Sequence, residues 1–352
     1  MNEGYEKSDF NNDVVISSKI SIRRNIVKYN FPNRLSEEGA EQLINEIFPI
    51  INSMPNTFLE KCKYINLSET SLNDKKVLYE SGIITEKSLK SKRISGVAIF
   101  DTYGISILLN EDDHIVIQVS CEGMNLKEAY EIANKIDDFI EQKVEYAFSP
   151  KFGYLCSNAS NIGTGLNCSY TIHLPALQMY NQLQLILQVV GKFGIMTNGW
   201  SDDGVNINGS IVDLSNQITM GVSEEEIISN INNVTEQIIN QERNVRNKIY
   251  SNNKLYLEDK IYRSYGILNY ARNMNFKESI ELLSDIRLGI ELKIFKNNIS
   301  SSDIYILMKK IQPGNVESYV GKKLNKQEIE VVRAKIIRKD LKSLFDNCVE
   351  SI

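Results

Sequence analysis

Apolar and polar residues alternate through DVVISSKISI at 13–22, and a period of two in β-branched-rich sequence predicts a strand or extended segment. The run SEEGAEQLINEIFPIINSM at 36–54 instead spaces its apolar residues for a helix, behind a serine suited to cap it. Three short β-rich runs follow at 94–100, 104–109 and 114–119, separated by turn residues as in an antiparallel meander. Residues 126–145 have an amphipathic helical period, and 168–174 and 211–214 are further strand candidates.

After about residue 223 the pattern changes. Ser223 and the three glutamates behind it suit a helix start, since a capping hydroxyl and negative charge both favour the positive helix end. A long helical pattern follows to Ile249, then helices at 255–273, 276–292, 301–310 and 325–345, with no strand among them. The fold class expected is therefore α+β: an antiparallel sheet flanked by helices over 13–250, then an all-α region over 251–352. Residues 1–12 are polar and read as disordered.

Bulk properties narrow the function. A chain of 352 residues exceeds the size at which single cores stop growing, so its length suggests two domains or one large one. A net charge of -5 argues against general binding to nucleic acid or anionic membrane. No apolar run approaches the roughly 20 residues that span a bilayer, and the N-terminal segment has no apolar signal core, so the expected location is the cytoplasm. The five cysteines, Cys62, Cys121, Cys156, Cys168 and Cys348, form no CxxC pair and read as unremarkable thiols. His114 and His173 are the only histidines, which argues against a His-rich metal site, and neither has a nucleophile-elbow motif beside it.

Five segments, in order, carry a resemblance. DVVISSKISIRRNIVKYNFP (13–32) is similar to a Ser-Ser-Arg-x-Arg-x-x-Arg-Asn strand, and LLNEDDHIVIQ (108–118) to an Asn-Glu-Glu-Asp-His-x-Arg motif. GYLCSNASNIGTGLNCSYTIHLPAL (153–177) is similar to a Cys-Pro-Thr-Asn-x-Gly-Thr-Gly-x-Arg segment, without the Lys-Ser/Thr of a P-loop. NGWSDDGVNINGSIVDLSNQITMGVSEEEI (198–227) resembles an Arg-Gly-x-x-Gly-Glu-Gly-Thr-Glu loop and its following helix. IQPGNVESYVGKKLNKQEIEVVRAKIIRKDL (311–341) resembles a C-terminal helical segment. Together they resemble the ATP:guanidino phosphotransferases, or phosphagen kinases, in the bacterial protein-arginine kinase (McsB) form, whose helical domain lies at the C-terminus.

The resemblance implies a phosphagen-kinase-like catalytic domain, a helical domain for dimerisation and phosphoarginine binding, and ATP with magnesium. Transfer to a guanidinium rests on positioning and charge stabilisation, and the family supplies a cage of phosphate-gripping arginines. Here the cage positions fall on Lys19, Ser21, Val116, Asn167 and Asn198, so one cation of five remains, with His114 in the second motif. Arg23 would share a strand face with Lys19 and Ser21 and is a possible substitute; Arg24 matches a different family arginine. The carboxylates that orient the guanidinium and remove its proton fall on Asp112, Asp203 and Asn206, the last unable to act as a base. The family's reactive cysteine falls on Asn158, with Cys156 nearby as a structural thiol. The phosphoarginine-sensing motif keeps Arg333, has Glu330 in place of its aspartate and loses its first arginine, and Arg333 read alone suits a solvated helix face.

The turn-forming and packing residues persist, Gly163, Thr164, Gly165, His173, Ser215, Asn216, Gly221 and Arg287 among them. Kept scaffold with a depleted cage predicts feeble ATP use, and a McsB-like pseudokinase or adaptor in protein quality control and heat-shock regulation. The partners the resemblance implies are a McsA-like activator, a CtsR-like repressor, a Clp unfoldase and a second copy of the chain. A weakly active protein-arginine kinase, drawing charge from Lys19, Arg23, Lys192 or a partner, is the alternative. A third reading is an arginine-containing peptide held by Glu111, Asp112 and Asp203 in the emptied pocket.

Overall fold

The alternating run near the N-terminus builds the middle of the protein. In the computed structural model, which describes residues 12–55, 62–100, 104–200, 206–295 and 299–346, it forms β1 (Val15–Arg24). Then come α1 (Glu37–Asn52), β2 (Lys63–Asn66), α2 (Leu72–Glu80), α3 (Glu86–Lys90), β3 (Gly96–Phe100), β4 (Ile105–Leu109), β5 (Ile115–Glu122) and α4 (Leu126–Glu141). A short hairpin of β6 (Phe148–Ser149) and β7 (Gly153–Tyr154) precedes β8 (Leu166–His173), α5 (Pro175–Met179), α6 (Leu183–Gly191), β9 (Ile195–Gly199) and β10 (Ile211–Asn216). The helical region comprises α7 (Glu224–Tyr270), α8 (Phe276–Glu291), α9 (Ser301–Lys310), α10 (Pro313–Val320) and α11 (Lys326–Asp346).

Eight strands form one sheet in the order β2-β3-β4-β5-β1-β8-β10-β9, with every pairing antiparallel. One face carries the main core: Ile20, Ile22, Ile117, Val119, Cys168, Tyr170 and Leu214 lie under α4 and α7. The other face is largely polar between β5 and β9, for alternate residues of a strand face opposite ways.

Local chemistry sets the helix starts. Gly39 donates its N–H to the Ser36 hydroxyl at 3.1 Å. Ser223 and Glu226 form a reciprocal capping box at the start of α7. The helices expected at 223–249 and 255–273 are one element, kinked at Asn253 (φ -139°, ψ 39°), because no glycine or proline separates the two runs. The boundary expected at about 250 thus falls inside α7, just before that kink.

A buried polar hub ties the helical region to the sheet. Arg287 donates to the carbonyls of Asn12 (3.0 Å) and Asp13 (3.3 Å) and to Nδ1 of His173 (2.8 Å). Arg246 donates to Glu242 (2.7 Å) and to the His173 carbonyl (3.2 Å), and Glu242 accepts the N–H groups of Ala176 and Leu177 that open α5. Apart from Asn12, which this hub holds against the expectation of disorder, residues 1–12 lie outside the described residues.

Candidate active site

The sheet register decides which of the expected site residues share a face. Ser21 stands opposite Gln118 on β5 and Asn167 on β8; Arg23 stands opposite Val116, and Lys19 opposite Ser169. On the far side, Thr171 faces Asp213, which in turn faces Asn198 on edge strand β9. Lys19, Ser21, Val116, Asn167 and Asn198 therefore lie on one face, spread from β5 to β9, although they come from four strands far apart in sequence.

Little free cationic character is left on this face. Lys19 Nζ donates to the Gly82 carbonyl at 2.6 Å. Burial, and next the Lys309 ammonium, pull its pKa down to about 8. Ser21 is buried, Asn167 half-buried and Asn198 exposed. Val116 is 1 % exposed and belongs to an apolar cluster with Leu67, Leu78, Ile84, Val97 and Leu108, which seats α2 and the turn after it on the sheet. Arg23 lies 3.8 Å from Asp113, and its buried Nε and Nη1 have no hydrogen-bond partner. Arg24 points through the sheet instead, giving two bonds to Asp137 and one to the Thr164 carbonyl.

The helical region reaches the same face. Lys309 and Tyr305 of α9 lie beside Asp213, whose carboxylate accepts the Thr171 hydroxyl at 2.5 Å. Burial raises the Asp213 pKa, against the opposing pull of Lys19 and Lys309. Glu80 of α2 accepts the N–H groups of Gly314 (2.6 Å) and Asn315 (2.8 Å), fastening α10 over α2.

The carboxylate loop is committed to its neighbours. Glu111, 7 % exposed, accepts the hydroxyls of Thr85 and Ser88 and the Asp112 N–H at 2.9 Å. Asp112 pairs with Lys87. Asp113 is fully buried and accepts from Asn25 and from the Ser157 N–H, each at 2.7 Å. Asp203 lies outside the described residues. Asn206 is exposed, and its carbonyl packs so closely on Gly199 that a Cβ there would sit 2.2 Å away.

His114 is fully buried. Its Nδ1 accepts the Ile26 N–H (3.0 Å) and its Nε2–H donates to the Asn30 carbonyl (2.8 Å), which requires the neutral ring. His173 is neutral for a similar reason, accepting from Arg287 and donating to the Ser284 hydroxyl at 2.7 Å. Burial first, and for His173 the nearby arginines next, push both below the ordinary value of 6.5. A depressed histidine binds fewer protons folded than unfolded, so its stabilisation is lost as pH falls below 6.5. The pair should cost at most about 2 kcal/mol between pH 6.5 and 5.5. Urea unfolding at pH 7.5, 6.5 and 5.5 checks this; a flat profile contradicts neutral rings.

The glycine turn is a packing device. Gly163 has φ +120°, and a Cβ there would lie 2.2 Å from the Thr219 carbonyl. Cys156 donates to the Asn161 carbonyl at 3.3 Å, and burial pushes its thiol up to about 12, far from a reactive thiolate. In the helical region, Arg333 is 2 % exposed, contrary to a solvated helix face: it donates to the carbonyls of Ile311 (2.9 Å) and Met274 (3.1 Å). Glu330 accepts from Asn273 at 3.2 Å, one turn from Arg333.

Among the described residues, the five positions at which the resemblance puts phosphate-gripping arginines do not fit a nucleotide polyphosphate: four are neutral, and the remaining ammonium is spent on a backbone carbonyl beside a carboxylate. Asp213, Lys309, Tyr305 and Glu80 were not singled out from sequence. Alternation along the strand at 211–214 is a signal that could place Asp213 on this face, but nothing local ties α9 or α2 to it.

Comparison with known proteins agrees with this fold. The family model for the ATP:guanido phosphotransferase C-terminal catalytic domain matches residues 42–245, and that for the protein-arginine kinase McsB C-terminal domain matches 254–351. The protein-arginine kinase of Bacillus pumilus (strain SAFR-032) is 39% identical over 330 residues, covering 94% of this chain and 90% of its own. That of Bacillus subtilis (strain 168) is 38% identical over 329 residues, covering 94% and 90%. Among solved structures, lombricine kinase superposes with a TM-score of 0.56 at 20% identity, over 66% of this chain and 67% of that one. The duplicated taurocyamine kinase from Schistosoma mansoni, bound to transition state analog components, gives 0.59 at 20%, over 74% and 39%. The chain belongs to the ATP:guanido phosphotransferase family, as a member of its protein-arginine kinase group.

Proposed function

We propose that this protein is a protein-arginine kinase homologue that no longer transfers phosphate and acts by binding other proteins, as a pseudokinase or adaptor. The observation that supports this most is the sheet face that Lys19, Ser21, Val116, Asn167 and Asn198 share, with Lys19 alone cationic among them. A hydrogen bond to a charged group is worth roughly 1.5–3 kcal/mol, so four missing cations remove at least several kcal/mol of phosphate binding. A deficit of about 6 kcal/mol is roughly ten-thousandfold. With its pKa near 8, Lys19 is also only partly charged at slightly alkaline pH. The adaptor role, the cytoplasmic setting, and a McsA-like activator, CtsR-like repressor, Clp unfoldase or second copy as partners follow from the resemblance alone.

The test is a thermal-shift titration with magnesium and ATP, alongside transfer of labelled phosphate to an arginine-rich protein. No stabilisation at 1 mM ATP is expected (about the concentration that a millimolar Kd would register). Acid-labile phosphate should form at least roughly a thousandfold slower than with an active relative. Stabilisation by micromolar ATP would reject the proposal. The second reading, a weakly active protein-arginine kinase, draws on Arg23, whose Nε and Nη1 lack hydrogen-bond partners on the same face. On that reading any slow phosphorylation disappears in Arg23→Ala.

A further inference from the structure

The β6–β7 hairpin carries apolar surface that the sheet site does not use. Phe148 is 56% exposed, Phe152 45%, and Met220, on the segment leading to α7, 57%. All three line one hollow of about 410 Å³. Scattered exposed apolar residues are ordinary, whereas a contiguous set around a concavity marks a binding surface. Phe148 also borders a second hollow of about 490 Å³ beneath the end of α4.

The rims are acidic. Glu224 and Glu226 border the first hollow with Lys151, and Glu141 and Glu145 border the second with Lys143, so four carboxylates face two ammonium groups, a net of -2. Such a rim repels nucleic acid and anionic lipid, and favours a cation whose alkyl stem can lie on aromatic rings.

The floor is rigid. Gly153 has φ +80°, and a Cβ there would lie 2.5 Å from the Gly163 carbonyl, so the hairpin is pressed against the glycine turn. The inner face of the Tyr154 ring is stacked by the Arg24 guanidinium at 3.5 Å, and its hydroxyl donates to Glu141 at 3.3 Å. A preformed surface loses little freedom on binding.

We propose that these adjoining hollows dock an extended segment of a partner protein that presents a bulky apolar side chain beside a lysine or arginine. The apolar group would fill the hollow at Phe148, Phe152 and Met220, and the cation would lie among the glutamates of the rim. The surface shares none of the five cage positions, so it stands or falls independently of ATP use.

Isothermal titration calorimetry with a synthetic hexapeptide of alternating leucine and lysine tests this on the full chain. Lysine is used so that guanidinium binding at the sheet face does not enter. The peptide is expected to bind, and the same peptide with glutamate for lysine is not. Phe148→Ala should weaken binding at least about tenfold. The double variant Glu145→Gln, Glu224→Gln should weaken it on the order of tenfold at low salt, and added salt should mimic it. Equal binding of the glutamate peptide, or unchanged binding by the charge variant, overturns the proposal. The charge variant removes only rim groups, so it decides the matter even if Phe148→Ala folds poorly.

Discussion

Arg287→Ala is expected to destabilise the protein by about 3–5 kcal/mol, the range for removing one partner from a buried charged network. The side chain is 1% exposed and among the largest fully buried ones. Burial is the main cause pulling its pKa down to about 10, so it stays protonated at neutral pH. Its guanidinium meets the Asn12 and Asp13 carbonyls and His173 Nδ1, joining the start of the sheet domain to α8. Alanine would leave those acceptors dry and open a cavity. Arg287→Lys keeps the charge but not the fork, and should lose roughly half as much. Urea unfolding at pH 7.5 measures both; a loss below about 1 kcal/mol for alanine would show the hub to be dispensable.

Much of the fold was legible because its elements obey simple periods. The runs at 94–100, 104–109 and 114–119 became β3, β4 and β5 because alternating β-branched residues between turn residues leave few other solutions. The helices α1, α4, α8, α9 and α11 each bury a stripe spaced at the helical repeat. The elements that escaped are short or edge-placed: β2, α2, α3, β6, β7, α5, α6, β9 and α10, whose patterns are brief and whose places depend on distant partners. Glu80 holding the start of α10 illustrates this, since no local signal pairs residues so far apart.

The site was legible in its residue types but not in their engagements. A strand with Lys19, Ser21 and Arg23 at alternate positions announces a shared face. It does not announce that Arg23 approaches Asp113, that Lys19 donates to Gly82, or that Glu111 is held by Thr85 and Ser88. Arg333 is the sharpest case: an arginine on a helical repeat reads as solvated, yet two carbonyls from other turns draw it inside.

Val116→Arg should be the costly reversal among the cage positions, at about 3 kcal/mol, while Asn198→Arg should change stability by less than about 0.5 kcal/mol. The difference is one of surroundings. Asn198 is exposed on edge strand β9, where a new guanidinium keeps its water. Val116 is 1 % exposed against Leu78, Ile84, Val97 and Leu108, where an unpaired cation would be stripped of water with no carboxylate in the cluster to repay it. This position has been taken into the packing that holds α2 on the sheet, so restoring charge there breaks more than it mends. Urea unfolding of the two single variants compares them directly. An arginine that escapes by stretching past Ser21 towards Gln118 would leave Val116→Arg nearly as stable as the parent, and the face would then be open to rebuilding as a phosphate cage.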